Sequence, residues 1–126
     1  MKNGKSFSIY ERIKSFKPAL KGLKWLIQNE HNVRVHLFLS FISICAGLYF
    51  QISTNEWLAI LICIGVVLSL EAINSAIEKL VDLVSPQKNQ LAGLVKDLAA
   101  AAVLIASIIA IIIATIIFLP RFIKLF

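Results

Sequence analysis

From Ile9 to Ile27 the apolar residues fall at Ile9, Ile13, Phe16, Leu20, Leu23 and Ile27. These steps of four and three draw one stripe along a helix. Lys14, Lys17, Lys21 and Lys24 form a second stripe on another face. An apolar face beside a lysine face is the pattern of a helix lying in a membrane interface, so residues 1–32 are predicted to form an interfacial amphipathic arm. Pro18 either breaks that helix or opens its second half, where the missing N–H costs nothing. Asn29-Glu30-His31-Asn32 then interrupts the stripe. Long apolar runs follow, and they predict helices at about 33–52, 57–84 and 91–119. Gln51 to Glu56 reads as a short polar turn without Lys or Arg, Ser85 to Gln90 as a loop, and Pro120 as the stop of the last helix. The uncharged stretch from Leu98 to Leu119 is about 33 Å long at ~1.5 Å per residue, enough to cross a hydrocarbon core of about 30 Å.

Composition agrees with that pattern. Apolar residues make up 59% of the 126, and the mean hydropathy is +0.84. A soluble fold of this size cannot hide so much apolar surface, so the bilayer must be the solvent for most of it. The expected class is all-α: one integral membrane domain with an interfacial helix and three spanning helices. Cys45 and Cys63 lie inside apolar runs and read as small hydrophobes, and no CxxC or HExxH spacing occurs. The first thirty residues lack the apolar core and small-residue cleavage site of a signal peptide.

The net charge of +6 is unevenly placed. Lys2, Lys5, Arg12, Lys14, Lys17, Lys21, Lys24 and Arg34 all precede the first long apolar run, where they can meet anionic headgroups or phosphates. Nucleic acid is not expected as the partner, because the basic arm leads straight into a membrane segment. By the positive-inside rule the arm and the Lys88 loop are cytoplasmic, and eight basic residues outweigh Arg121 and Lys124 at the other end.

The second spanning helix carries the chemistry. Glu71, Asn74, Ser75, Glu78 and Asp82 are spaced three, one, three and four apart, so they share one helical face. Glu71 lies fourteen residues beyond the interfacial Trp57, about 21 Å along the axis, and a carboxylate at that depth is costly. Three readings stand at this point. A basic residue on a neighbouring helix neutralises the stripe in a structural network; the stripe lines an ion or proton path; or it performs metal and proton chemistry. In the third reading Glu78 and Asp82 face a nucleotide from the cytoplasmic end, while Glu71 takes a proton from a lipid hydroxyl. The third helix opens with Lys96-Asp97, near the level of Glu78, and Lys96 suits a phosphate. Ala99 to Ala102 then allow close helix approach. His31 and His36 read as interface anchors, without metal-ligand spacing.

The run Glu71-Ala-Ile-Asn74-Ser-Ala-Ile-Glu78-Lys-Leu-Val-Asp82, followed by Lys96-Asp97-Leu-Ala-Ala-Ala-Ala-Val103, resembles the signature of the prokaryotic diacylglycerol kinase family, which includes undecaprenol kinases. Lys21-Gly22-Leu23, Asn29-Glu30 and Arg34 are similar to its N-terminal pattern, and the likeness runs from about Arg12 into the third helix. The resemblance implies a homotrimeric, ATP- and Mg²⁺-dependent kinase of a lipid alcohol in the bacterial plasma membrane. Its active sites would be cytoplasmic and shared between protomers. It implies Glu71 as general base and Asn74 as the residue orienting it. Glu30 and Glu78 would hold the Mg²⁺ that carries ATP, and Lys96 and Asp97 would bind its phosphates. Arg12, Lys17, Asp82, Gln87, Lys88 and Asn89 are the further candidates for nucleotide contacts. The chain departs from the family pattern at Pro18, Asn89 and Gly93-Leu94, where a tyrosine-like residue, a His and basic residues are usual. No glycine-rich P-loop and no HRD or DFG motif of the soluble kinases is present. Glu30-His31-Asn32-Val33-Arg34-Val35-His36 looks more like the undecaprenol-phosphorylating branch than the diacylglycerol-selective one.

The predicted orientation is directly testable. A cysteine at Asn55 is expected to react with an impermeant thiol reagent applied outside intact cells, and one at Asn89 only after permeabilisation. The reverse pattern would overturn the cytoplasmic placement of the polar stripe.

Overall fold

The computed structural model describes Gly4 and residues 6–126; Lys2 and Lys5 of the basic arm lie outside the described residues. Four helices follow one another: α1 (Ile9–Asn29), α2 (His31–Phe50), α3 (Thr54–Val84) and α4 (Gln90–Ile123), with no strand among the described residues. The last three are long and apolar enough to cross a membrane, and α1 is less apolar. The all-helical reading of the sequence therefore holds.

Ser8 opens α1 by accepting a hydrogen bond from the Glu11 amide. The helix continues through Pro18. Pro18 was expected to break it or to open a second half, and it does neither. The proline removes a single hydrogen bond on an exposed helix, and water can serve the freed carbonyl. Ile9, Ile13, Phe16, Leu20, Leu23 and Ile27 remain exposed in the isolated chain. The residue that docks α1 on the bundle is Leu26, off the predicted stripe, while the Lys79 ammonium lies 5.3 Å over the Trp25 ring. The stripe is thus left free for a surface outside the chain.

The break between α1 and α2 is a single residue. Glu30 alone is extended, at φ −102 and ψ 110, and α2 starts at His31, not Val33. The Asn29 side chain explains the shortness of the break, because it donates to the Trp25 carbonyl and satisfies the last turn of α1 locally. At the other end of α2, Gln51 adopts a left-handed conformation (φ 51), and the amides of Gln51 and Ile52 both bond the Gly47 carbonyl.

The expected polar turn Gln51–Glu56 is half helix. Ser53 and Glu56 form a reciprocal capping box, so α3 begins at Thr54 rather than Trp57. Glu56 also takes Arg121 from the far end of α4 in a bidentate pair, with both nitrogen–oxygen distances at 2.8 Å. Pro120 does not end α4, which runs on to Ile123. Proline only removes the amide it would have lent to the preceding turn. Arg121, held by Glu56, donates to the Ile117 carbonyl and fixes that turn.

Packing divides the bundle along its length. Ile52, Ile60 and Ile117 form a buried cluster at the Glu56 end, with Phe50, Trp57, Ile113 and Phe118 against it. The most extensive helix interface is α3 with α4, where Ala99, Ala101 and Ala102 are half-buried and Val103 is buried. Gly47 marks the closest approach between α2 and the start of α3. A Cβ there would sit 2.7 Å from Cη2 and 2.9 Å from Cζ2 of Trp57. Gly47→Ala is therefore expected to overpack this end at a cost of about 1–3 kcal/mol. A clear drop in the thermal denaturation midpoint of the detergent-purified protein would show it, and an unchanged midpoint would refute the tight contact.

Candidate active site

The five polar residues of α3 do share a face, and burial falls along it toward the loop end. Glu71 and Ser75 are buried, Asn74 and Glu78 half-buried and Asp82 exposed. Helical spacing alone sets the row; the neighbouring helices set how much of it is covered.

Glu71 is 3% exposed, and His36 of α2 meets it, with Nε2 3.1 Å from Oε1. The sequence reading took His36 for an interface anchor, and the structure corrects this. Val33, His36 and Ser40 are spaced three and four apart, and Val33, at 1% exposure, is the most completely buried side chain described. That spacing was the available signal: an ionisable residue within an apolar helix, on the face that carries a buried valine. One turn nearer the loop, the Asn74 amide donates weakly to Glu78 Oε1 at 3.4 Å. The Asn74 Oδ1 is buried and has no hydrogen-bond partner among the described residues. It is an open acceptor within the stripe, where an incoming hydroxyl or water fits.

At the exposed end, Lys96 Nζ donates to Asp82 Oδ1 at 2.6 Å across the α3–α4 interface. An ammonium has three N–H bonds, so two remain for a phosphate. Asp82 and Lys96 also line an open cavity of about 460 Å³ with Gln87, Lys88, Asn89 and Gly93. The expected nucleotide contacts of the loop are thus gathered beside Lys96. Asn89 has a structural task as well, since its side-chain oxygen accepts from the Leu91 and Ala92 amides and caps α4. Asp97 is exposed and forms no ion pair or side-chain hydrogen bond among the described residues.

Glu30 stands at the α1–α2 break as the N-cap of α2, with no capping hydrogen bond from its carboxylate. Its oxygens are therefore uncommitted to the helix. Arg12 and Lys17 are not joined to the stripe by any hydrogen bond or ion pair within the chain. Arg12 instead lies 5.6 Å over the Phe7 ring. Among the described residues no three His, Cys, Asp or Glu side chains converge closely enough to hold a metal by themselves. Glu30 and Glu78 offer only carboxylate oxygens. That donor set suits a hard cation that draws its remaining ligands from phosphates and water, as Mg²⁺ does.

Comparison with known proteins places this arrangement. The sequence profile of the family described as prokaryotic diacylglycerol kinase matches residues 17–118, a span that contains every residue of the α3 row, Glu30, His36 and the Lys96-Asp97 pair. The chain is similar to the undecaprenol kinase of Bacillus subtilis (strain 168), with 37% identity over 108 residues, 86% of this chain and 88% of that protein. It is 35% identical over 114 residues to the diacylglycerol kinase of Synechocystis, covering 88% of this chain and 64% of that protein. It is 32% identical over 102 residues to the diacylglycerol kinase of Haemophilus influenzae, covering 81% and 86%. The reading as an ion path gives way to these matches. The chain belongs to the prokaryotic diacylglycerol kinase family and is a membrane lipid kinase.

Proposed function

We propose that the enzyme transfers the γ-phosphate of ATP, with Mg²⁺, to the primary hydroxyl of a polyprenol such as undecaprenol at the cytoplasmic face of the bacterial membrane. The observation that carries the reading is Glu71: a carboxylate buried at hydrocarbon depth and held from a second helix. Such a group can meet an acceptor that stays in the bilayer. The stripe leads from it, through Asn74 and Glu78, to an open cavity beside Lys96.

In this scheme Glu71 accepts the proton of the lipid hydroxyl as the oxygen attacks phosphorus. Asn74 orients the row through its amide on Glu78, and the remaining N–H bonds of Lys96 bind phosphate oxygens. Asp97, Asp82 and the loop residues Gln87, Lys88 and Asn89 border the nucleotide. Glu30 and Glu78 hold the cation, which supplies neutralisation of phosphate charge when bound. Phosphoryl transfer needs mainly positioning and charge neutralisation, and this inventory suffices for both.

Arg12 and Lys17 lie eighteen and thirteen residues before Glu30, about 27 and 20 Å along α1. They are assigned to a site shared with a neighbouring protomer, in a homotrimer whose subunits cover apolar surface left open by a single chain. The basic arm and the Lys88 loop outnumber Arg121 and Lys124 and so govern orientation. The preference for a polyprenol rests on α2. Its only small hydroxyls, Ser40 and Ser43, donate to the carbonyls of His36 and Leu39, so neither offers its proton to an ester. The likeness to an undecaprenol kinase agrees with this.

Purified protein with Mg-ATP and either undecaprenol or diacylglycerol in one detergent tests the reading. Undecaprenol is expected to be phosphorylated at least as well as diacylglycerol, and a large preference for diacylglycerol would overturn the acceptor assignment. Glu71→Gln should lose ~10²–10⁴-fold in lipid phosphorylation and keep nucleotide binding. Glu30→Gln and Glu78→Gln should each abolish Mg²⁺-dependent turnover while the protein still inserts and assembles. Wild-type activity in either variant would remove that residue from the cation site.

A further inference from the structure

Among the described residues Glu71 meets one polar side chain, and its identity has consequences for the reaction. Other ionisable side chains of the bundle are engaged elsewhere. Lys96 is on Asp82, Lys79 on the Trp25 ring, and Arg121 on Glu56 at the opposite end; Glu78 accepts the Asn74 amide. Among the described residues only His36 hydrogen-bonds or ion-pairs with Glu71. Building on the kinase reading above, we propose that His36 is the positioning residue of the proton acceptor. Its imidazole, with Nε2 3.1 Å from Glu71 Oε1, fixes that oxygen and leaves Oε2 for the hydroxyl of the lipid.

The role of the pair follows from its geometry: His36 Nε2 of α2 lies 3.1 Å from a carboxylate of α3 that is 3% exposed, so the imidazole restrains one carboxylate oxygen from a neighbouring helix. The helix around His36 is well placed: Val33, one turn before it, is buried, and the Ser40 hydroxyl one turn later donates to the His36 backbone carbonyl at 2.6 Å. The ring also lines a groove of about 230 Å³ between α2, α3 and α4, whose walls include Val67, one turn from Glu71, and Ser107. Ser107 Oγ is buried without a partner. His36 therefore stands between the base and a cavity that opens at the level of the hydrocarbon. The transfer balances simply: the lipid O–H bond breaks, its proton goes to Glu71 Oε2, and the new P–O bond replaces the bond to the departing ADP. His36 gives up no proton in this step.

Two substitutions of His36, alone and with Glu71→Gln, and two readouts test it. His36→Met keeps volume and removes the donor, His36→Gln keeps a neutral donor, and each is combined with Glu71→Gln. His36→Met should lower kcat for lipid phosphorylation by about 10–100-fold, the range for removing an orienting partner, with the KM for ATP unchanged. His36→Gln should restore most of that loss. In the Glu71→Gln background, His36→Met should cost nothing further, because residues acting as a unit are not additive. The second readout needs no activity: the Nε2 signal in ¹⁵N-histidine spectra should shift between the wild type and Glu71→Gln. Wild-type kcat in His36→Met, an equal loss in both backgrounds, or an unchanged Nε2 signal would overturn the proposal. If His36→Met fails to assemble, the ¹⁵N-histidine comparison of the wild type and Glu71→Gln decides alone. Activity persisting in Glu71→Gln would sink the kinase-base reading itself. An inactive Glu71→Gln beside a fully active His36→Met would sink only the role of His36.

Discussion

Hydrocarbon offers no water to a polar group, and that constraint shapes the protein from its backbone to its active site. Each amide and carbonyl at bilayer depth must be paired within its own segment. The chain is therefore helical almost throughout, interrupted only at Glu30, around Gln51–Ser53 and over Ser85–Asn89 among the described residues. Hydroxyls obey the same demand. Ser40, Ser43 and Thr115 each return their proton to a carbonyl one turn earlier. Glu71, buried on α3, meets His36 of α2.

The two ends of the bundle meet this constraint differently. The Glu56 end is closed by apolar packing around Ile60 and by the Glu56–Arg121 pair, which ties the first turn of α3 to the last turn of α4. Glu56 serves the capping box and the arginine together, so one side chain fixes a helix start and a helix crossing. The loop end is held by the exposed Asp82–Lys96 pair and by Trp25 against Lys79.

The sequence by itself determined the class, the number of membrane-crossing helices and the row on α3, because hydropathy over twenty residues and a 3.6-residue repeat are properties of a segment alone. It was less exact at boundaries. Thr54–Glu56 became helix because a capping box turns a polar turn into a helix start, and Pro120 was passed because one lost hydrogen bond does not end a long helix. The tertiary structure alone decided which side chains meet. His36 against Glu71, Lys96 on Asp82, Arg121 on Glu56 and Leu26 as the anchor of α1 all depend on the rotation and offset of one helix against another. Those are set by small features such as the contact of Gly47 with Trp57 and the alanines at the start of α4. Periodicity fixes a face; only packing determines what that face touches.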